Sequence, residues 1–319
     1  MCMKVTVAHF QFEVDFLASL RRIPMYVGLS GRSGALRRVA AHVVGRLWLS
    51  AIIIVFAAAG IACRRQPSGS SGDSSSRREI TVSAGASLRD AFGEIGKQYE
   101  SRTGGKVNFN FGASGALQKQ IESGAPVDVF ASAGRPQMDA LASQGLIEPG
   151  TRRDFASNVL VLVVPADSTS GPTSFTDLGG ANVTRLAVGN PKTVPVGQYA
   201  QQTLTRLGLW QQLQSRLILA EDVRQTLDYV ARGEVDAGIV YASDVRAAEN
   251  KVRKVATAPA DLHDPILYPI AVVRSSASKD AARAFIDAVM DDEGQHTLEK
   301  YGFERARRQD GLDGSRSQK

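Results

Sequence analysis

Five stretches after residue 80 place a small or hydroxyl residue where a strand gives way to a helix. They are Ala84-Gly85-Ala86-Ser87-Leu88, Gly112-Ala113-Ser114-Gly115-Ala116, Val194-Pro195-Val196-Gly197, Glu221-Asp222-Val223-Arg224 and Gly238-Ile239-Val240-Tyr241. The first backbone N–H groups of a helix have no intrahelical acceptor, and the helix dipole puts positive potential there. Several such ends aimed at one cleft bind an anion without a lysine or arginine. Serine and tyrosine hydroxyls add further donors. The set therefore points to a receptor for a small oxyanion.

Catalysis finds less support. No nucleophile–base pair, paired-carboxylate motif or phosphate-loop glycine pattern stands out, so the chain does not read as an enzyme. Asp222 and Arg224 invite a catalytic role, but a helix cap and a supporting charge pair explain them more simply. Asp128 and Asp244 read as loop braces. The four histidines are scattered, and both cysteines, Cys2 and Cys63, precede the region of alternating elements. That leaves no disulfide framework or thiolate metal site there, and no cofactor is expected.

The junctions presuppose elements to carry them. From Glu79 the pattern alternates strand and helix, the mark of an α/β protein with mainly parallel sheets. One set runs strand Ile80–Ser83, helix Ser87–Arg102, strand Val107–Phe111, a helix from Ser114 that stops at Gly124 and Pro126, strand Val127–Ser132 and a helix near Pro136–Ser143. The apolar run Asn158–Val164 suits a strand buried on both faces, or one that passes between lobes. A second set follows: strand Arg185–Val188, helix Gly197–Leu207, strand Leu217–Leu219, helix Asp222–Arg232 and strand Ala237–Tyr241. Strand Pro269–Val273 and helix Ala281–Met290 close the pattern. Two lobes joined by a double crossing imply a hinged binding protein, with 79–157 plus 262–305 as lobe 1, 158–261 as lobe 2 and 306–319 as a polar tail.

The net charge of +6 on 319 residues looks basic, yet residues 1–63 carry +5 of it. The remainder is nearly neutral and has no basic run with interleaved aromatics, so no nucleic-acid partner is expected. Within 1–63, Leu47–Ala62 is an apolar run behind a basic region, too short for an ordinary membrane span and long enough for a signal-peptide core. It ends in Ala59-Gly60-Ile61-Ala62 before Cys63, which resembles a bacterial lipoprotein signal with Gly60 in place of the usual leucine. The resemblance implies lipidation of Cys63; plain secretion and an uncleaved anchor remain the alternatives. Residues 64–78 are Ser/Gly-rich and read as a flexible tether with a reach of ~20 Å.

Taken in order, several stretches resemble the periplasmic molybdate-binding proteins of bacterial ABC transporters. These are Ile80 to Leu88, Phe111-Gly112-Ala113-Ser114-Gly115, Gln120 to Phe130, Leu186 to Pro191, Val194 to Ala200, Ala220 to Arg224, Ala237 to Asp244 and Tyr268 to Val273. The resemblance covers about residue 79 to 304. It implies a two-lobe type II periplasmic-binding-protein fold with the ligand between the lobes. It also implies that Ser87, Ser114, the backbone at Val196 and Val223, and the Tyr241 hydroxyl hold a tetrahedral dianion. The implied partners are molybdate or tungstate and an ABC permease–ATPase complex. The implied state is a monomer outside the cytoplasm, in the periplasm or at the cell surface, tethered to the membrane through Cys63.

Chemistry is consistent with that ligand. Molybdate and tungstate are fully ionised at neutral pH and only accept hydrogen bonds, whereas hydrogen phosphate carries a proton that needs an acceptor. A donor-only site with no ionised acid in contact selects the former. Sulfate differs by size alone, so a sulfate receptor is one alternative, and an anion sensor that signals rather than delivers is another. Helix capping is the ordinary role of Ser87 and Ser114, and core packing that of Tyr241.

Overall fold

The computed structural model describes residues 79–306 apart from Glu249. The leader, the tether, Cys63 and nearly all of the 306–319 tail lie outside the described residues.

Ten strands form two five-stranded sheets. The first sheet takes β1 (Glu79–Gly85), β2 (Lys106–Gly112), β3 (Val129–Ala131), β4 (Arg153–Ser157) and β10 (Leu267–Val272), in the order β2-β1-β3-β10-β4. The second takes β5 (Leu160–Pro165), β6 (Leu186–Gly189), β7 (Leu217–Ala220), β8 (Ala237–Tyr241) and β9 (Val252–Thr257), in the order β7-β6-β8-β5-β9. In each sheet four strands run one way and one is reversed. β10 is antiparallel to both β3 and β4, and β5 is antiparallel to both β8 and β9.

The reversed strands are those that follow a crossing between sheets. β4 ends at Ser157, and three residues on β5 begins beside the end of β8, with Leu160 opposite Tyr241. β9 ends at Thr257 and β10 returns to the first sheet at Leu267. A strand that enters at the end where the parallel strands finish must run backwards. The expectation of mainly parallel sheets holds for four strands of each five, and the two long apolar runs in the sequence are the exceptions.

Helices cover the sheets: α1 (Arg89–Thr103), α2 (Ser114–Glu122), α3 (Arg135–Ser143), α4 (Pro195–Arg206), α5 (Trp210–Leu213), α6 (Val223–Ala231), α7 (Ala242–Ala247), α8 (Lys279–Met290) and α9 (Asp292–Lys300). α1 buries Ala91, Phe92, Ile95 and Tyr99 on one face, and Phe92 packs against Phe109, Phe155 and Phe285. It stops at Gly104, whose φ of 67° is a left-handed cap that only glycine adopts without strain. β5 is buried along Leu160–Val164, as a strand with neighbours on both faces must be.

Two strands and three helices, α5, α7 and α9, escaped the sequence pattern. β4 and β9 are polar, with Arg153, Asp154, Arg253 and Lys254 among their residues, because each is the edge of its sheet and has one partner only. α7 and α9 are short and mostly polar. Ser87 was expected to open a helix; instead Ala86–Leu88 is a 3-10 turn and α1 begins at Arg89.

Candidate functional site

The ends of β1, β2 and β8 and the starts of α2, α4 and α6 line one hollow between the two sheets. The 3-10 turn Ala86–Leu88 and α2 follow β1 and β2 on one side; α4, α6 and α7 stand on the other. The hollow is lined by Ser87, Ser114, Val196, Val223 and Tyr241 together, five positions spread over 155 residues of sequence. Its free volume is about 10 Å³.

The serines do not cap helices. Ser114 is the first residue of α2, the cap position belongs to Ala113, and no side-chain cap bond forms. Instead Ser114 Oγ accepts the backbone N–H of Ala133 at 3.0 Å, from the loop after β3. Ser87 Oγ lies 3.2 Å from the Tyr268 hydroxyl. Both side chains are buried. A hydroxyl whose lone pair is already filled by a protein donor keeps its own proton for another acceptor.

On the second sheet the donors are backbone. α4 opens Val194-Pro195-Val196; proline has no N–H, so Val196 carries the first one, and α6 offers Val223 likewise. Asp222 caps α6, accepting the Gln225 N–H at 3.0 Å, which is the structural role the sequence suggested. Asp222 nevertheless lines the hollow, against the expectation that no acid would stand there. Tyr241 is fully buried, and burial holds its phenol well above the ordinary tyrosine pKa, so it keeps its proton. That proton is donated to the Ala133 carbonyl at 3.0 Å; a ligand must exchange this bond to use it.

Bacterial extracellular solute-binding proteins match this chain over residues 80–304. The chain belongs to that family. It is 40% identical over 235 residues to a putative ABC transporter substrate-binding lipoprotein, YvgL, of Bacillus subtilis, covering 73% of this chain and 89% of the relative. It is 37% identical over 229 residues to the molybdate-binding protein ModA of Haemophilus influenzae, covering 70% and 89%. Among solved structures it resembles the substrate-binding domain of a putative molybdenum ABC transporter from Clostridium difficile, with 38% identity, a TM-score of 0.57, and 72% and 99% covered. The family binds solutes outside the cytoplasm and is not a family of enzymes.

In this solute-binding protein the two halves of the cleft are in contact. Gly115 N–H donates to the Thr193 carbonyl at 2.9 Å. A Cβ at Gly115 would stand 2.6 Å from that oxygen, so any larger residue would hold the halves apart. Gln137 Nε2 donates to Gln198 Oε1 at 3.1 Å. Arg224 reaches across to Asp90 at 2.7 Å and to the Ser87 carbonyl at 3.3 Å, which is the charge pair foreseen for it.

Behind Tyr241, Asp244 Oδ2 accepts the Tyr241 N–H at 3.2 Å and Oδ1 faces Arg224 Nε at 3.5 Å. Burial pushes the Asp244 carboxyl up to about 6, offset in part by Arg224. Asp128 braces a loop as expected, accepting the Thr81 N–H and the Ser276 hydroxyl. Among the described residues no group of His, Cys, Asp or Glu is placed to hold a metal ion.

Sequence reasoning missed Ala133, Tyr268, Asn158 and the Gly115–Thr193 contact. Tyr268 had one signal, a polar tip in an otherwise apolar strand. Ala133 had none, since it acts through its backbone.

Proposed function

We propose that this protein captures molybdate, and tungstate with it, and delivers it to an ABC importer. The observation that carries the reading is the donor set of the hollow. Ser114 accepts the Ala133 N–H, Ser87 Oγ lies within hydrogen-bond reach of the Tyr268 hydroxyl, two helices open onto the same space, and the lining contains no lysine, arginine or histidine. Neutral dipoles of this kind hold a fully ionised tetrahedral anion without forming a tight ion pair, which favours later release. The molybdate-binding relatives support the choice of metal oxyanion.

In this reading Ser87, Ser114, the Val196 and Val223 N–H groups and the Tyr241 hydroxyl surround the anion. Residues 79–157 with 262–305 and residues 158–261 are two lobes that rotate about the crossings at 158–159 and 258–266, and the contacts through Gly115 and Arg224 belong to the closed state. Cys63 carries a lipid that tethers a monomer to the membrane by way of residues 64–78, a placement consistent with the lipoprotein name of the Bacillus subtilis relative.

One observation favours a second ligand. Asp222 in the lining offers an acceptor that would suit hydrogen phosphate. A thermal-shift series on the purified protein with molybdate, tungstate, sulfate and phosphate at equal concentration separates the readings. A ligand at a hundredfold over its Kd adds about 2.7 kcal/mol of stability. Molybdate and tungstate are expected to raise Tm and the other two to leave it unchanged. A rise with sulfate or phosphate alone would replace the molybdate assignment.

A further inference from the structure

Ser87 is the near end of a chain of buried hydrogen bonds that leads away from the hollow to the crossing between the sheets. Asn158 is the residue after β4. Its Oδ1 accepts the Val159 N–H at 2.9 Å, which fixes the amide orientation, because only the oxygen can accept there. The Nδ2 group therefore points the other way. It donates to the Ser243 hydroxyl at 2.8 Å and to the Tyr268 hydroxyl at 3.3 Å. The Tyr268 oxygen thus accepts from Asn158; either hydroxyl can donate across the 3.2 Å contact between Tyr268 and Ser87 Oγ, and the Asn158 bond favours Tyr268 as the donor. Ser87 in turn accepts, and its own proton has the hollow as its remaining direction. Tyr268 is fully buried and Asn158 and Ser87 nearly so, so water does not compete for these bonds. Burial also keeps the Tyr268 phenol protonated far above neutral pH.

We infer, on the oxyanion reading of the cleft, that Asn158 and Tyr268 are positioning residues that set the direction of the Ser87 proton and so determine specificity for fully deprotonated dianions. A free serine hydroxyl donates or accepts according to its partner. It would serve hydrogen phosphate as readily as molybdate, accepting the phosphate proton. With Tyr268 donating to one of its lone pairs, Ser87 has no other acceptor within reach for its own proton and presents that proton to the hollow, which disfavours, without excluding, a ligand that brings a proton of its own. Ser114 is held in the same sense by the Ala133 N–H, a bond no side-chain change can reverse. The Asn158–Tyr268 arm is the half of this arrangement that mutation can reach.

Two substitutions test it by titration calorimetry with molybdate and with phosphate at pH 8, where phosphate is the monohydrogen dianion. Tyr268→Phe removes the donor to Ser87 and keeps the ring in place. Asn158→Asp is nearly isosteric and reverses the chain: its carboxylate accepts from Tyr268, Tyr268 accepts from Ser87, and the Ser87 proton turns away from the hollow.

Tyr268→Phe is expected to weaken molybdate about tenfold and to leave phosphate unchanged or tighter. Asn158→Asp is expected to weaken molybdate more, because one donor is lost outright. Its added charge repels both dianions alike, so the molybdate-to-phosphate ratio isolates the proton direction. A melt without ligand verifies that each variant folds, and either one alone decides the matter. An unchanged ratio in a folded variant, with both anions weakened equally or neither affected, overturns the inference. If the unaltered protein prefers sulfate to molybdate, the ligand reading fails while the same ratio, taken with sulfate, still tests the proton direction.

Discussion

The two halves of the cleft are built from different material. The first sheet presents side-chain hydroxyls, Ser87 and Ser114, each held from behind by a protein hydrogen-bond partner. The second presents the backbone of two helix starts, at Val196 and Val223, and one phenol already engaged with Ala133. A hydroxyl can be deleted by one substitution and redirected by its neighbours. A helix N–H belongs to the fold and survives most changes of side chain. On the proposed reading the first half is thus where specificity can be tuned, and the second half is where charge stabilisation is fixed by architecture.

The sharpest way to break this contrast is Ser114→Ala. On the proposed reading it removes a donor to the anion, and it leaves the buried Ala133 N–H without its acceptor. Affinity for molybdate should fall on the order of a hundredfold, and the free protein should lose about 1–3 kcal/mol in denaturant unfolding. Equal affinity in the variant would remove Ser114 from the site.

Gly115→Ala addresses the seam between the halves. The added methyl would crowd the Thr193 carbonyl, so the closed state is expected to cost about 1–3 kcal/mol while the open protein is untouched. Calorimetry should show weaker molybdate binding with an unchanged ligand-free Tm.

The pH dependence of the free protein tests the second half. Asp244 titrates near 6 in the folded state, above its ordinary value near 4, because burial disfavours its charge. The folded state then binds more protons than the unfolded one between those values. The contribution of Asp244 to stability is largest below pH about 4, falls by about 1.4 kcal/mol per unit as pH rises toward 6, and is flat above. The difference in stability between Asp244→Asn and the unaltered protein should follow that profile in urea melts taken from pH 4 to 7.

The smallest effect is expected at the backbone donors. Val196→Ala and Val223→Ala keep the N–H groups, so molybdate affinity should change less than about threefold, with a stability cost from lost packing. A large loss of affinity at either position, with the fold intact, would mean that the second half also works through side chains.

Alternation of strand and helix was legible from Glu79 onward because each inner strand is apolar and each helix has one apolar face. The edge strands β4 and β9 were not legible, since an edge needs no apolar run. Asp222 could be read as a cap because capping is local: the carboxylate reaches a backbone N–H three residues on. Ser87 and Ser114 could be named from their junctions, but capping was their ordinary reading, and it does not hold. What their hydroxyls do depends on Tyr268 and Ala133, 181 and 19 residues away.

The sequence by itself determined which residue types stand at the starts of the helices, and so that the chain offers donors rather than charges or nucleophiles. It also determined the class of fold, since periodicity is a property of neighbours along the chain. Only the tertiary structure decided which way those donors point. The direction of a hydroxyl proton is set by whichever group fills the oxygen's lone pair. Here those groups come from β10, from the crossing at Asn158 and from the loop after β3, brought within about 3 Å by packing that no local pattern encodes.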